Sequence, residues 1–270
     1  MSNFLPTVKA MVGPKSSGDW SPLSLAGIYQ WFDAQDFSSI TKDGAENITQ
    51  WNDKSGNSAH LTATGTTGPV YESTGMNSKP GVTFSASKGL ANDTAFGLDY
   101  LAGQQDITIM MVMQLVDEAT TSRSYMYWER GVSSYTRLAV RTRLRRFEFG
   151  VRQQPDNNVW TDYTSSGSQY LIPQATPVIF RWDGALSTRL PKTYLSSSGD
   201  TTDIEFADPL PDTDPFDAAP SFASSIGGAA LQGGNGAEYK MGELILVRGL
   251  MTLQEIIDVN VYLKARWGIA

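Results

Sequence analysis

The sequence predicts an all-β protein built as an antiparallel sandwich or barrel, and three observations support this fold class. Short runs of apolar, β-branched and aromatic residues alternate with clusters of Gly, Asn, Asp, Ser and Pro along most of the chain. The 25 Gly and 13 Pro among 270 residues follow no repeat and indicate many turns. One segment alone, near the C-terminus, has strong helical spacing. This pattern argues against a parallel α/β sheet.

The first residues of the chain differ from the rest. They are polar, lack apolar periodicity and are interrupted by Pro6, Pro14 and Pro22. We therefore expect residues 1–24 to form an extended N-terminal arm that serves as an attachment segment. Residues 25–270 are then expected to form one folded domain.

Ten segments of this domain have the composition of β-strands. They are Ile28–Phe32, Gly81–Phe84, Ile107–Val116, Ser124–Glu129, Leu138–Arg143, Phe147–Arg152, Val178–Trp182, Thr193–Leu195, Ser221–Ile226 and Gly242–Arg248. Turn-forming residues flank them, as at Ser55–Asn57 and Gly233–Gly236. Many short strands separated by turns are typical of a sandwich or barrel.

The C-terminal segment predicts one helix of three to four turns. Thr252 and Glu255 have the spacing of a capping box, in which each side chain accepts a hydrogen bond from the backbone of the other residue. Apolar residues follow at helical intervals, and Gly268 is expected to end the helix. They are Ile256, Val259, Leu263 and Trp267. Such a helix is expected to pack on the edge of the sheet.

The composition excludes several kinds of site. The chain has no Cys, which excludes disulfides, thiolate metal sites and cysteine nucleophiles. The single histidine, His60, excludes sites with two imidazoles and is expected at the surface or in a turn. The first residues lack the apolar core of a signal peptide, and Ile107–Val116 is about half the length of a membrane-spanning helix. We therefore expect synthesis in a cytoplasm and no membrane insertion.

Three segments, in this order, resemble the concanavalin A-like, laminin-G-like jelly-roll superfamily, in the form common in phage virion proteins and bacterial surface proteins. The first is WFDAQD at 31–36 with WNDKSGN at 51–57. The second is KPGVTF at 79–84, followed by Leu90. The third is GELILV at 242–247, followed by Leu253, Glu255-Ile256, Tyr262-Leu263 and Trp267-Gly268. Together they span about residues 25–268.

The resemblance implies a jelly-roll β-sandwich with a short closing helix. It also implies a phage virion accessory protein, either a capsid decoration or a tail or fibre component, made in the host cytoplasm and located in the virion. Its partners would be other virion proteins or copies of itself, and its lectin-like domain would bind host-surface polysaccharide. A free carbohydrate-binding lectin and a glycoside hydrolase of the same fold are the alternatives.

The aromatic and acidic residues of the first motif favour a structural role. A Trp and a carboxylate two positions apart share one face of a strand. We expect the rings of Trp31 and Trp51 to fill the core, while Asp33 and Asp53 accept hydrogen bonds from nearby loop N–H groups.

The strongest enzymatic candidate is the acidic run of Asp203, Glu205 and Asp208. Retaining glucanases of this superfamily carry E-x-D-x-x-E on one strand, with its acids as nucleophile and proton donor. Here the order is Asp, Glu, Asp, and Pro209 follows. We therefore expect no enzymatic activity and no catalytic residue.

Cofactor binding is expected to be absent, with calcium as the one alternative. Asp212, Asp214 and Asp217 offer hard oxygen ligands close together, but they do not follow the EF-hand pattern. These acids belong to residues 199–220, which hold seven Asp and Glu and no Lys or Arg. A solvated acidic loop is the simpler interpretation.

Basic residues concentrate in a second segment, 137–152, with six Arg and the single acid Glu148. Strand alternation places Arg141, Arg143 and Arg145 on one face and Leu138 and Val140 on the other. The cationic face predicts binding to an acidic glycan or to the acidic loop of another copy, at Asp212, Asp214 and Asp217. Nucleic acid is not expected, because the net charge is −7 and the sequence has none of the common binding motifs.

Aromatic residues are frequent in the middle third of the chain. Trp160 and Tyr163 lie in the polar stretch 157–168 and are therefore expected to be more exposed than the other aromatics. Because aromatic side chains stack on sugar rings, these two residues are the predicted glycan contacts.

Overall fold

The computed structural model describes residues 20–64, 67–85, 88–92, 106–116, 123–131, 136–143, 146–152, 160–164, 174–183, 192–198, 200–205, 222–227 and 238–269. The described residues form two antiparallel β-sheets and one α-helix. This arrangement confirms the predicted antiparallel β-sandwich with one C-terminal helix. Residues 1–19 lie outside the described part, so the arm stays a prediction.

The strands are numbered in chain order. They are β1 (Ile28–Asp33), β2 (Ile40–Lys42), β3 (Ile48–Trp51), β4 (Leu61–Ala63), β5 (Val70–Met76), β6 (Lys79–Phe84), β7 (Gly89–Ala91), β8 (Asp106–Leu115), β9 (Arg123–Gly131), β10 (Thr136–Arg143), β11 (Arg146–Arg152), β12 (Trp160–Thr164), β13 (Thr176–Asp183), β14 (Lys192–Ser198), β15 (Asp200–Glu205), β16 (Phe222–Gly227) and β17 (Tyr239–Arg248). Each of the ten predicted segments overlaps a strand of the structure.

The strands divide into a sheet of eight and a sheet of nine. In the first sheet the order is β15-β14-β13-β8-β17-β6-β5, and β1 also pairs with β17, next to the residues that pair with β6. In the second sheet the order is β12-β11-β10-β9-β16-β7-β4-β3-β2. Among the described strands, β12 and β2 therefore stand at the two ends of the nine-stranded sheet.

The central strands of the eight-stranded sheet are nearly continuous apolar runs. In β8, all residues from Ile107 to Met113 are buried, and in β17 the same holds from Met241 to Val247. A strand buried on both faces loses the alternation of apolar and polar residues that marks a half-exposed strand. Both strands are therefore covered on both faces.

The C-terminal helix α1 (Leu253–Trp267) has the predicted caps. Thr252 and Glu255 form the capping box, and Gly268 ends the helix with a left-handed φ of 61°. The four predicted apolar positions are buried: Ile256, Val259, Leu263 and Trp267. Exposed Leu253, Ile257 and Val261 mark the opposite side of the helix.

The described part of the chain begins in contact with this helix. Trp20 is 8% exposed, and its ring centroid lies 4.8 Å from that of Tyr262 on α1. Pro22–Ser24 form a 3₁₀ turn capped by Ser21. Trp20 and Pro22, which were expected to belong to the arm, are therefore packed on the domain.

Candidate functional site

The first motif forms a hydrogen-bonded turn around Asp53. The Oδ1 atom of Asp53 accepts hydrogen bonds from the backbone N–H groups of Trp31 and Ser55, both at 2.9 Å. Its Oδ2 atom accepts from the N–H of Ala59 at 3.2 Å and from the Ser55 hydroxyl at 2.7 Å. The N–H of Asp53 donates to Nδ1 of His60 at 3.0 Å, so this histidine belongs to the turn. The structural role predicted for Asp53 is confirmed.

The carboxylate of Asp33 has a different set of partners from the one expected. Its Oδ1 atom accepts one backbone N–H, that of Gln35, at 2.9 Å. Its Oδ2 atom pairs with the guanidinium of Arg266 on α1 and with Nζ of Lys54 at 3.1 Å. The same Lys54 ammonium lies 2.7 Å from a carboxylate oxygen of Asp36. Asp33 is fully buried, and its negative charge is compensated mainly by these two cations rather than by loop N–H groups.

Glu243 lies directly opposite Asp33 in the pairing of β1 with β17, and its side chain is also fully buried. Its Oε1 atom accepts hydrogen bonds from Nε1 of Trp31 at 2.9 Å and from the Tyr262 hydroxyl at 3.0 Å. Its Oε2 atom accepts from Nε1 of Trp267 at 2.9 Å. Burial and the neighbouring Asp33 carboxylate nevertheless raise the pKa of Glu243 to about 7.

Arg266 joins the two carboxylates. Besides its pair with Asp33, its Nε atom lies 3.7 Å from Oε2 of Glu243. Burial alone would lower the pKa of Arg266, but Asp33 raises it, and the net shift is upward. Arg266 therefore stays charged. We call Asp33, Lys54, Glu243 and Arg266, with their donors Trp31, Tyr262 and Trp267, the terminal clasp.

The terminal clasp is a structural site. Its two carboxylates have no exposed surface through which a ligand could reach them, and their hydrogen bonds come from the protein itself. It joins the first strand, the last strand and the helix. Sequence reasoning assigned no role to Glu243 or Arg266. The available signal was an acid inside the apolar run GELILV, since a buried carboxyl requires internal partners.

The acidic run that was considered for catalysis and rejected begins on β15, the last of the described strands at one end of the eight-stranded sheet. On β15, Asp203 is directly opposite Tyr194 of β14, and Glu205 is opposite Lys192. The neighbouring strand therefore places a tyrosine and a lysine, not a further acid, opposite this pair. Asp208 lies outside the described residues.

The absence of a metal and of membrane insertion both stay predictions. Within the described ranges, no three His, Asp or Glu side chains are grouped so that they could hold a metal ion. Asp212, Asp214 and Asp217 lie outside those ranges, so calcium binding there stays a prediction. Of the helices in the described part, none is long and apolar enough to cross a membrane.

The arginine-rich segment forms a hairpin of β10 and β11. Leu138 and Val140 are fully buried, as predicted for the core face. Arg141 was expected on an open cationic surface, but it is only 4% exposed, and Glu148 lies directly opposite it on β11. The expectation that Arg141 is an exposed cation is therefore wrong, because its side chain is buried. Arg145 lies outside the described residues.

The strand pairings show which residues of the neighbouring strands lie on the same two faces as this hairpin. Directly opposite residues share a face. Faces alternate along each strand, except where the pairing of β10 with β9 shifts register, at Thr136/Leu138 and at Val140/Arg141. The face opposite to Leu138 and Val140 is here called the arginine face. Its positions on β9 to β12 include Arg123, Tyr125, Arg141, Arg143, Arg146, Glu148, Arg152, Trp160 and Asp162.

The two predicted glycan contacts fall on different faces. Trp160 begins β12 directly opposite Arg152, on the arginine face. Tyr163 is opposite Phe149, which is itself opposite Val140, so its position belongs to the core face. Of the two predicted contacts, Trp160 is therefore the one on the same face as the arginines, and Asp162, two residues later, shares that face.

Comparison with solved structures identifies the class of fold. The binding domain of botulinum neurotoxin serotype G has a TM-score of 0.59 and 7% identity, and the match covers 89% of this chain and 53% of that chain. The binding domain of botulinum neurotoxin DC, in complex with rat synaptotagmin II, has a TM-score of 0.56 and 9% identity, with 89% and 52% covered. The third is botulinum neurotoxin type C, whose cell entry is dependent upon interaction with two ganglioside molecules. It has a TM-score of 0.56 and 7% identity, and the match covers 87% of this chain and 50% of that chain.

These structures are β-sandwich, jelly-roll binding domains, so the β-sandwich fold implied by the resemblance is confirmed. At identities below 10% the likeness establishes the fold alone. This chain spans about half the length of the structures that it matches. No family model and no curated protein matches the sequence. The similar structures are named as binding domains rather than enzymes, and they show no link to a phage particle.

Proposed function

We propose that this protein is a non-enzymatic, lectin-like domain that binds carbohydrate on its arginine face. Two lines support the proposal. The fold is shared with domains named for binding, and one of the similar proteins interacts with gangliosides, which carry sugar headgroups. In addition, the register brings an aromatic position and several polar positions together on one face of the nine-stranded sheet.

The position of Trp160 is the observation that carries the proposal. It lies on β12, the outermost of the described strands at one end of the nine-stranded sheet. An indole ring offers an apolar surface for the C–H face of a sugar, while charged neighbours can bond the hydroxyls. Arg152 is directly opposite Trp160, and Asp162 occupies the next position on the same face. A donor, an acceptor and a ring are the groups that a sugar site requires.

The test is binding of the purified domain to an array of neutral and acidic oligosaccharides, comparing the wild type with Trp160→Ala. We expect the variant to lose about tenfold or more in affinity, the effect of about 1.4 kcal/mol of lost stacking. Phe37→Ala is the matched control, because Phe37 is a 58% exposed aromatic that precedes β2 at the opposite end of the sheet. Equal binding by the wild type and Trp160→Ala would contradict the site.

Absence of catalysis is the second part of the proposal. Incubation of the domain with the oligosaccharides that it binds is expected to leave them intact, as judged by mass spectrometry of the sugars. If products appear, Glu205→Gln decides their origin, since Glu205 is the strongest remaining acid candidate of the glucanase-like run. Turnover that is lost in this variant while the fold is retained would establish a glycoside hydrolase.

We further propose, from the sequence resemblance, that the domain is displayed on a phage particle through its N-terminal arm. Because Trp20 packs against Tyr262, the deletion that tests this role should remove residues 1–19 and keep Trp20. The shortened protein is expected to remain folded, to bind glycans as before and to be missing from purified particles. Normal incorporation of the shortened protein would rule out the arm as the attachment segment.

A further inference from the structure

Three arginines occupy directly opposite positions at one end of the nine-stranded sheet. Arg143, the last residue of β10, is paired with Arg123, the first residue of β9. On its other side, Arg143 is paired with Arg146, the first residue of β11. The three residues therefore form one cross-strand row on the arginine face, next to the two-residue connection between β10 and β11. We call it the arginine row.

The row contrasts with the pair that lies next to it. Two residues earlier on β10, Arg141 has the acid Glu148 directly opposite, and it is buried. Arg143 has an arginine at both opposite positions. Cross-strand partners have Cβ atoms about 5 Å apart, and like charges at this separation destabilise a sheet. Three adjacent positive charges therefore need an explanation. Binding of a negatively charged group that is not part of these strands would offset their repulsion.

We infer that the arginine row binds an anionic group of the glycan, a carboxylate or a sulfate, so that the proposed lectin recognises acidic oligosaccharides. This inference rests on the proposed function and specifies its substrate class. The guanidinium fork is suited to bidentate bonds with planar carboxylate and with sulfate oxygens. An oligosaccharide is favoured over nucleic acid because Trp160 shares the same face, and the chain as a whole carries a charge of −7.

The spacing of the two features also predicts the size of the ligand. Arg146 and Arg152 are six residues apart on β11, and Trp160 is directly opposite Arg152. At about 3.3 Å per residue, the arginine row and Trp160 are about 20 Å apart along the strand. A ligand that reaches both is an extended oligosaccharide with its charge toward the β10–β11 connection, not a monosaccharide.

The experiment measures affinity for matched glycans that differ only in charge: a sialylated tetrasaccharide against its neutral carboxyl methyl ester, and a neutral tetrasaccharide against its sulfated form. The proteins are the full-length wild type, Arg143→Gln, Arg146→Gln, and the control Arg130→Gln, which removes an arginine from the opposite end of β9. Thermal unfolding verifies that each variant is folded. Arg143→Lys tests whether charge alone is sufficient.

We expect the wild type to bind the acidic glycan more tightly than the neutral one in at least one of the two pairs. Arg143→Gln and Arg146→Gln should each lower the affinity for that acidic glycan about tenfold and leave the affinity for the neutral glycan nearly unchanged. The preference should weaken with added salt, since the Debye length shortens to about 3 Å at 1 M. Arg130→Gln should bind like the wild type, and Arg143→Lys should lie between.

Equal affinity for acidic and neutral glycans, with Trp160→Ala still defective, would overturn this inference and leave the proposed function intact. Failure of the wild type to bind any glycan would overturn both. Sedimentation of each variant tests a competing role. If Arg143→Gln and Arg146→Gln abolish self-association and leave glycan affinity unchanged, the row binds the acidic segment of a second copy, at Asp212, Asp214 and Asp217, and the inference is wrong.

Discussion

At the scale of single residues, Glu243 combines features that oppose each other. Trp31, Tyr262 and Trp267 all donate to its carboxyl group, which favours the ionised form. Complete burial and the adjacent Asp33 favour the protonated form, and together they raise the pKa to about 7. The group therefore titrates in the physiological range, far from the value of 4.5 that is ordinary for a glutamate.

This shift predicts how stability depends on pH. The folded protein holds the proton of Glu243 more tightly than the unfolded chain does, so this group stabilises the fold fully below about pH 4.5, and its contribution is lost as the pH rises to about 7. The test is to measure the free energy of unfolding in urea, for the wild type and for Glu243→Gln, between pH 4.5 and 8. The wild type should lose more free energy of unfolding over this range than the variant, because the other titrating groups are common to both. Parallel profiles would contradict the shift.

At the scale of elements, the contact of α1 with β17 depends on a glycine. A Cβ atom added at Gly242 would lie 2.6 and 2.7 Å from Cζ3 and Cζ2 of Trp267, closer than such atoms approach in proteins. The last strand and the helix therefore share a close contact that a larger residue would disrupt. The same tryptophan donates to Glu243, so the close approach also positions part of the terminal clasp.

Gly242→Ala is expected to destabilise the protein by about 1–3 kcal/mol, because either the strand or the indole ring must shift. Gly44→Ala is the matched control, since an added Cβ at that turn glycine meets nothing within 4 Å, and its effect should stay within about 0.5 kcal/mol. Chemical denaturation measures both changes. A Gly242→Ala protein as stable as Gly44→Ala would show that the contact has no such role.

The elements that sequence predicts are those with strong local signals. Long apolar runs such as β8 and β17, and the capped helix, have patterns that hardly depend on the rest of the fold. Seven strands were not predicted: β2, β3, β4, β5, β7, β12 and β15. Several have three residues, too few to show alternation, and β12 reads WTDYT, whose polar residues are also typical of a loop. Pairing with neighbouring strands makes these segments β-structure.

At the scale of the whole molecule, the proposed site depends on how neighbouring strands are aligned with one another. Sequence identified the arginine-rich segment and Trp160 as separate features, and it grouped Trp160 with Tyr163. Which residues share a face depends on pairings such as Arg143 with Arg123, which lie 20 positions apart. The offset of such a pairing follows from the tertiary fold, so sequence could supply the candidate residues but not their grouping.

The central claim is that carbohydrate binds to the arginine face of β9 to β12. The most direct test is a crystal structure of the domain with the tightest oligosaccharide found by array screening. The account predicts that a sugar ring lies against Trp160 and that the chain extends along β11 toward Arg146. Sugar bound instead to the eight-stranded sheet, or at a site away from β11 and β12, would contradict the claim.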